Sequence, residues 1–315
     1  MELVSAPVRF VIDITYRCNM HCTHCHAKAG EVAPRLLENE LTTTEVTDLL
    51  KELDEMKVFD ITITGGEPIL RSDLIEIIRY SRNLNFSTLT LITNGSLVSE
   101  ETAKSLLHAG LNQIRVSLDG LESVNDEIRG PGNFEKATKG IENLLKFFPS
   151  LKILTVLTRK NYKNFPELTE YLAELGVKRQ DVIPVRKLGR ASSMLGLCSQ
   201  EINWIYAETL KLNQKLKNSF CLVLNCPMMR IGTEIAEIKD VCGYIEDDRG
   251  SGATVITNGD IFLNRLWGKE KLGNLRENKF RDIWERSFQE RTKKKHTITD
   301  KEKSGELTNI YYNIP

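Results

Sequence analysis

The sequence predicts an α/β protein built on a parallel β-sheet. Short apolar segments, typical of buried strands, alternate with amphipathic segments of about ten residues or more that are typical of helices. Such alternation is the pattern of βαβ units, whose consecutive strands run parallel. Six strands fit a partial barrel as well as an open sheet, whereas a full barrel needs about eight. The expected strands are Val8–Ile14, Phe59–Thr64, Leu89–Ile92, Gln113–Leu118, Ile153–Leu157 and Val182–Val185.

Capping residues and apolar spacing predict the helices. Thr42 and Glu45 form a capping motif before a segment with apolar residues at i, i+3 and i+4. After Ser199 the alternation of strands and helices is expected to stop, and Asn258-Gly259 predicts a hairpin turn. The other expected helices are Ser72–Leu84, Ser99–Ala109, Phe134–Phe148, Phe165–Leu175, Ile202–Leu216 and Phe280–Phe288.

The composition is that of an ordinary globular protein. The 315 residues are 41% hydrophobic and 27% charged, and 43 basic residues balance 43 acidic ones. A net charge of zero gives no reason to expect a nucleic-acid partner or an anionic membrane surface. The segment Met1–Phe10 lacks the features of a signal peptide, and no apolar run reaches transmembrane length. We therefore expect a cytoplasmic protein with no membrane or nucleic-acid partner.

Three cysteines follow the first strand with the spacing C-x3-C-x2-C. They are Cys18, Cys22 and Cys25, and the seven cysteines of the whole chain disfavour a complete disulfide framework because the number is odd. Iron–sulfur clusters are normally held by four thiolates, so a group of three would leave one iron open for chemistry. Three buried thiols are one alternative. Another is a zinc site, whose fourth ligand would be His21, His24 or His26.

Polar and flexible residues also follow the later strands, where the carboxyl ends of parallel strands carry functional sites. Gly65 and Gly66 allow a close backbone approach, and with Glu67 they suit recognition of an amino group. Ser117 and Asp119 could bond a ribose or a carboxylate group. Arg129 is either a carboxylate clamp or a solvated surface residue.

Taken together, these motifs resemble those of the radical S-adenosylmethionine superfamily, and the resemblance covers about residues 8–191. Cys18, Cys22 and Cys25 match its cluster-binding triad. The likeness implies a six-strand (β/α)6 partial barrel. The matches to cofactor-binding segments are Gly65, Gly66, Glu67 and Pro68 for the methionine amino group, and Ser117 and Asp119 for the ribose and carboxylate. Asn94, Arg129 and Gly189-Arg190-Ala191 resemble segments of the subgroup that includes peptide maturases.

The resemblance also implies a mechanism. The three cysteines would hold a [4Fe–4S] cluster, and S-adenosylmethionine would bind its open iron. One electron, from a donor such as flavodoxin or ferredoxin, would cleave this cofactor to methionine and a 5′-deoxyadenosyl radical. That radical would take a hydrogen atom from the substrate, while the protein orients the reactants and excludes water.

The second half resembles the small α+β extension called SPASM, or its shortened twitch form, which holds auxiliary iron–sulfur clusters. Cys242, the hairpin at Gly259 and Asp282-Ile283-Trp284 follow its outline. Asn264 stands where the hairpin should end in a cysteine, and no cysteine follows Cys242, so a full two-cluster extension is excluded. The resemblance implies a core over residues 1–198, an extension over 199–292 and a polar tail over 293–315.

The remaining cysteines have three open interpretations. Cys221, Cys226 and Cys242, with or without Cys198, could hold one auxiliary cluster. One of them could instead donate a hydrogen atom to a substrate radical, as in epimerases of the family. They could also be ordinary buried thiols.

The expected function is modification of a ribosomally made peptide by cross-linking, thioether formation or epimerisation. The first strand begins within about ten residues of Met1, which leaves no built-in module for peptide recognition. A separate peptide-recognition protein or a small-molecule substrate is therefore expected. The alternatives are a radical dehydrogenase or epimerase of a sugar or aminocyclitol, and a non-catalytic metal-binding α/β protein.

Overall fold

A mixed sheet runs through the computed structural model of the chain, which describes residues 6–31, 37–186, 188–191, 195–225, 252–263 and 271–289. The strands are β1 (Arg9–Thr15), β2 (Asp60–Gly65), β3 (Thr88–Thr93), β4 (Gln113–Ser117), β5 (Lys152–Leu157), β6 (Arg179–Pro184), β7 (Cys221–Leu224), β8 (Gly252–Val255), β9 (Asp260–Leu263) and β10 (Lys271–Asn274). Within the described ranges their order in the sheet is β10-β9-β8-β1-β2-β3-β4-β5-β6-β7.

The parallel, unclosed sheet confirms the predicted α/β fold class. Strands β1 to β7 pair in parallel in chain order, and β8 pairs in parallel with the outer edge of β1. Each of the predicted strands overlaps an observed one. These apolar segments are long enough for their alternation to be recognised in the sequence.

Helices connect the parallel strands and begin and end near the predicted capping residues. Thr42 caps the first with the full capping box from Glu45, and Ser99 caps the third. The helices are α1 (Thr43–Glu55), α2 (Leu74–Ser81), α3 (Glu100–Ala109), α4 (Glu122–Arg129), α5 (Asn133–Leu145), α6 (Phe165–Glu174), α7 (Ser199–Leu216) and α8 (residues 280–289).

The expectation that the alternation stops at Ser199 is wrong. Helix α7 leads into β7, which pairs in parallel with β6 from the first residues of the two strands, Arg179 and Cys221. The βα rhythm therefore continues for one more unit. Strand β7 has only four residues, which is too short a period-two pattern to be recognised in the sequence.

One face of the sheet is apolar and packs against the helices. In β1 the side chains of Phe10, Ile12 and Ile14 are fully buried in the main apolar core. Residues that alternate with them, such as Arg9 and Asp13, lie on the opposite face, because successive side chains of a strand point to opposite sides. We call this opposite face, across β1 to β8, the inner face.

The C-terminal hairpin continues the same sheet. Strands β8 and β9 are antiparallel, and Gly259 in their turn has a φ of +87°, as the Asn-Gly signal predicts. Phe280 of α8 packs edge-on against Phe10 of β1, with ring centroids 4.8 Å apart. The proposed boundaries at residues 198 and 292 stay predictions. Cys226, Cys242, Asn264 and the tail over 293–315 lie outside the described residues.

No described helix is both long enough and apolar enough to cross a bilayer.

Candidate active site

The cysteine loop leaves the carboxyl end of β1 and is bound along its backbone. The N–H of Thr23 donates to the Ile128 carbonyl at 2.9 Å, and the N–H of Gly30 donates to the Tyr16 carbonyl at 3.1 Å. All three thiols of Cys18, Cys22 and Cys25 are partly exposed and free of disulfides. The loop thus presents three thiols without a disulfide at the rim of the sheet, which fits ligands of a metal cluster.

Burial raises the pKa of two of the three thiols. Burial raises the pKa of the Cys18 thiol to about 11, and Glu67 and the other two cysteines add to the effect. Burial also raises the pKa of Cys22, although the Arg129 cation opposes it. Thiolates would be favoured here by a bound cation, because a metal ion deprotonates the thiols that ligate it.

Gly189 and Arg190 clamp the cysteine loop. The Arg190 N–H donates to the Cys25 carbonyl at 2.9 Å, and its side chain donates through Nε to the Cys22 carbonyl at 2.9 Å. Gly189 has a φ of +64°, and a Cβ there would lie 2.3 Å from the carbonyl oxygens of Cys25 and His26. Only glycine therefore lets the two segments approach so closely.

Glu40 holds the entry to the loop. Its Oε1 accepts hydrogen bonds from the Thr15 hydroxyl at 2.7 Å and from the Tyr16 N–H at 3.0 Å, and its Oε2 lies 3.9 Å from Arg17. No local pattern pointed to Glu40, because it lies in an irregular segment far along the chain from Cys18.

The Gly65–Pro68 segment lies directly against this entry. The N–H groups of Gly66 and Glu67 donate to the carbonyls of Thr15 and Arg17 at 2.7 and 2.8 Å. A Cβ on Gly66 would lie 2.2 Å from the Arg17 carbonyl oxygen. The two glycines are therefore required for the packing of two backbones beside Cys18.

The Glu67 carboxylate points into the protein. It is fully buried and accepts hydrogen bonds from the Thr93 hydroxyl at 2.8 Å, the Asn94 N–H at 2.7 Å and the Ile69 N–H at 3.1 Å. Burial raises the pKa of Glu67, although these three donors favour its charged form. Its visible role is to join the end of β2 to the end of β3.

Asn94 in turn contacts the cysteine loop. Its Nδ2 donates to Asn19 Oδ1 at 2.9 Å, and Asn19 Nδ2 donates to the Ser96 hydroxyl at 2.9 Å. Asn94 is buried, so these contacts fix the side of the loop next to Cys18.

Asp119 is the centre of a buried ionic cluster that also contains His24 and Arg129. Its Oδ2 lies 2.7 Å from Arg129 Nε and 3.2 Å from His24 Nε2, and its Oδ1 accepts from the Val156 N–H at 2.8 Å. All three side chains are at most 8% exposed. The cluster ties the cysteine loop to β4, β5 and α4.

The surroundings of Arg129 and His24 shift the pKa values of the two side chains in opposite directions. Burial disfavours the cation of Arg129, but Asp119 and the nearby cysteines outweigh burial and raise the pKa of Arg129. Burial lowers the pKa of His24 despite the attraction of Asp119. Among the described residues, His24 Nδ1 has no hydrogen-bond partner.

Ser117 has different surroundings. It ends β4 on the inner face and is partly exposed. Of the residues predicted to contact the ribose, Ser117 therefore remains accessible, whereas Asp119 is enclosed.

The second-half cysteines are dispersed where the structure describes them. Cys198 is exposed at the start of α7, and Cys221 begins β7, at the end of that strand away from the rim. Within the described ranges, no three His, Cys, Asp or Glu side chains converge on a single metal ion. Of the three histidines considered as a fourth zinc ligand, His24 faces Asp119 and His21 pairs with Glu31, and the zinc alternative stays a prediction.

Comparison with known proteins agrees with this geometry. Residues 12–172 match the family described as the Radical SAM superfamily. The Fe-coproporphyrin III synthase of Methanosarcina barkeri is 29% identical over 293 residues, which are 87% of this chain and 72% of the relative. The mycofactocin maturase MftC of Mycolicibacterium smegmatis is 34% identical over 193 residues, 61% of this chain. The chain spans about half the length of that maturase, since 48% of it is covered.

Solved structures show the same fold. Streptococcus suis SuiB bound to S-adenosylmethionine has a TM-score of 0.73 at 18% identity, with 90% of this chain and 66% of that chain covered. The protein anSMEcpe with bound AdoMet has a TM-score of 0.66 at 17% identity, with 89% and 82% covered.

Proposed function

Because this chain belongs to the radical S-adenosylmethionine superfamily, we propose that Cys18, Cys22 and Cys25 hold the [4Fe–4S] cluster of a radical enzyme. With S-adenosylmethionine, such a cluster supplies the 5′-deoxyadenosyl radical that removes a hydrogen atom from a substrate. The carrying observation is the cysteine loop itself: its three thiols are partly exposed, and its backbone is held by Arg190 and by the Gly65–Pro68 segment.

We propose that some residues at the rim contact S-adenosylmethionine and that others hold those residues in position. Backbone carbonyls of Gly65 and Gly66 are the proposed acceptors for the methionine amino group, and Ser117 is the proposed ribose contact. Arg129 is the proposed partner of the cofactor carboxylate, because its buried cation lies beside the loop. Glu67 and Asn94 hydrogen-bond to neighbouring protein groups, and the Asp119 carboxylate lies between Arg129 and the Val156 N–H. We therefore assign the three residues positioning roles.

The proposed substrate is a ribosomally made peptide. MftC, whose name makes it a maturase, supports this proposal, as does the structure of SuiB bound to precursor peptide SuiA. Cross-linking, thioether formation and epimerisation are the outcomes considered. A separate peptide-recognition protein and an electron donor such as flavodoxin or ferredoxin are the proposed partners.

A tetrapyrrole is the second candidate substrate. The Fe-coproporphyrin III synthase aligns with 87% of this chain, a longer share than MftC does, and an AdoMet-dependent heme synthase of the same organism aligns with 90%. This candidate replaces the sugar or aminocyclitol as the most specific form of the small-molecule alternative.

The auxiliary cluster is proposed without Cys221. That residue lies at the first position of β7, and the strand carries the chain about 10 Å before it continues toward Cys226. A role as ligand or hydrogen donor stays a prediction for Cys226 and Cys242. Counting iron tests it, because about eight irons per chain would support a second four-iron cluster and about four would remove it.

The proposed function is tested by anaerobic reconstitution with iron and sulfide. Reconstituted protein, given reductant and S-adenosylmethionine, should form 5′-deoxyadenosine. Separate incubations with a peptide encoded beside this gene and with Fe-coproporphyrin III, each followed by mass spectrometry, distinguish the two substrate classes. Absence of 5′-deoxyadenosine when the cluster is present would contradict the proposal.

A further inference from the structure

All charged residues of the parallel strands lie on the inner face of the sheet. They alternate along each strand with residues of the opposite, core-facing side, and the strand register keeps neighbours on the same face. The opposite face of these strands carries none. These residues of β1 to β8 are Arg9, Asp13, Asp60, Arg115, Lys152, Arg179 and Asp181.

Three cations of this face stand side by side. Arg115 of β4 pairs in register with Lys152 of β5, which pairs in register with Arg179 of β6. We call these three residues the cation row. Like charges directly opposite on neighbouring strands destabilise a sheet, so the row is not explained by stability.

Two members of the row have an acceptor beside them. Lys152 Nζ donates to Gln113 Oε1 at 2.8 Å, and Arg179 Nε lies 2.7 Å from Asp181 Oδ1. Burial, Arg115 and Arg179 lower the pKa of Lys152, while Asp181 and Asp60 act in the opposite sense. The two neighbouring arginines thus act with burial to disfavour the charged form of Lys152.

Basic side chains outnumber acidic ones among the strand residues of the inner face. Within β1 to β8, four basic residues stand beside three acidic ones. Arg9 is near Asp60, at 4.0 Å. All members of the cation row are partly exposed, so an anion can reach them.

We propose that the cation row binds one carboxylate of the substrate of this radical enzyme, an inference that rests on the proposed function. Guanidinium groups match carboxylates in a bidentate geometry. Arg115 lies two residues before Ser117 on the same strand face, a spacing of about 7 Å. A substrate carboxylate on the row would therefore lie below the proposed cofactor position, with the rest of the substrate directed toward the rim.

The test compares charged and neutral forms of two probes. Fe-coproporphyrin III and its tetramethyl ester are titrated into the anaerobically reconstituted protein and followed by the Soret band. The tripeptide acetyl-Ala-Ala-Tyr is titrated as its acid and as its amide and followed by calorimetry. Each titration is repeated with Lys152→Met and with Lys139→Met, whose lysine is on α5 and pairs with Glu142 at the surface.

At least one acid should bind wild-type protein at least tenfold more tightly than its neutral form, and Lys152→Met should bring that ratio below twofold. Lys139→Met should keep it. Discrimination in the porphyrin arm identifies propionate as the source of the carboxylate, and discrimination in the peptide arm identifies the peptide terminus. Failure of both acids to bind, equal binding of acid and neutral forms in both arms, or an unchanged ratio in Lys152→Met overturns the proposal.

A separate measurement keeps the two proposals distinguishable. Wild-type protein is incubated with dithionite and S-adenosylmethionine in the absence of either probe, and 5′-deoxyadenosine is quantified. Its absence contradicts the proposed radical function whatever the binding ratios are. Its formation, together with equal binding of acid and neutral probes, overturns the carboxylate site alone.

Discussion

The backbone around Cys22 is held in place, because Arg190 binds the Cys22 carbonyl and the Ile128 carbonyl binds the N–H of Thr23. Cys221, in contrast, occupies the first position of a strand, at the end of the sheet away from the cysteine loop. Both residues belong to cysteine-rich stretches of the sequence. The difference shows that cysteine density alone does not predict a metal site. The loop at the carboxyl end of β1 becomes a site because four separate segments hold its backbone.

The largest effect is expected from breaking the triad. Cys22→Ala should lower 5′-deoxyadenosine formation by more than about 100-fold and remove about four irons per chain, because the cluster loses one of its three protein ligands. Cys221→Ala is the matched control and should keep both the iron and the activity. Equal losses in the two variants would show that the two cysteine regions do not differ in function.

The next effect concerns the buried ionic cluster behind the loop. Asp119→Asn keeps the shape of the side chain but removes the charge that faces Arg129 and His24. We expect a rise of about 10- to 100-fold in the KM for S-adenosylmethionine, with a smaller change in kcat, because Arg129 is no longer held in place. Glu127→Gln is the control, because Glu127 lies in α4 with Arg129 but pairs with Lys160 at the surface. An unchanged KM for S-adenosylmethionine in Asp119→Asn would show that the buried ionic cluster has only a structural role.

Gly189 tests whether the clamp, and not only the ligands, distinguishes the two cysteine regions. Gly189→Ala adds a Cβ 2.3 Å from two loop carbonyls, so we expect a loss of about 2 kcal/mol in unfolding free energy and less than half of the wild-type iron content. Gly176→Ala also sits at positive φ, +94°, but its Cβ would meet nothing within 4 Å. That control should lose about 1 kcal/mol and keep its iron. Equal iron content in the two variants would contradict the claim that the close approach of Gly189 to the cysteine loop is needed for iron binding.

The smallest effect is expected where the C-terminal hairpin contacts the core. Arg276 Nε donates to Glu45 Oε1 at 2.6 Å, and this bond holds the pKa of Glu45 down at about 2. A lowered pKa in the folded state stabilises the protein above the ordinary pKa of 4.5, and the gain is lost as the pH falls toward 2. Glu45→Gln should therefore cost about 0.5–1 kcal/mol at pH 7, since the pair is partly exposed.

Urea unfolding at pH 7 and at pH 3 checks this value. Glutamine preserves the capping box with Thr42, so the helix cap is not lost with the charge. The difference between wild type and variant should shrink at pH 3. A difference that grows at low pH would show that the Glu45 carboxyl is stabilising in its protonated form.

The sequence was sufficient for the parallel sheet and for the cysteine loop, because both depend on patterns that are local in the chain. Strand β7 was missed because four apolar residues cannot display a period. Helix α4 was missed because it has only eight residues, of which just two, Val124 and Ile128, are apolar, and this is too short a pattern on which to base a prediction.

The supports of the site were harder to predict. Glu40 and Arg190 contact the cysteine loop from positions distant in the chain, so only the fold brings them there. Asp119 and Glu67 were correctly placed at the rim by the motifs. The burial of their carboxylates depends on partners from the end of β3, from β5 and from α4 that no local pattern specifies.

Electron paramagnetic resonance of the anaerobically reduced protein tests the central claim most directly. The account predicts the signal of a reduced [4Fe–4S] cluster that changes when S-adenosylmethionine is added, and the loss of this response in Cys22→Ala. Bound zinc in place of iron, or a cluster signal that S-adenosylmethionine leaves unchanged, would contradict it.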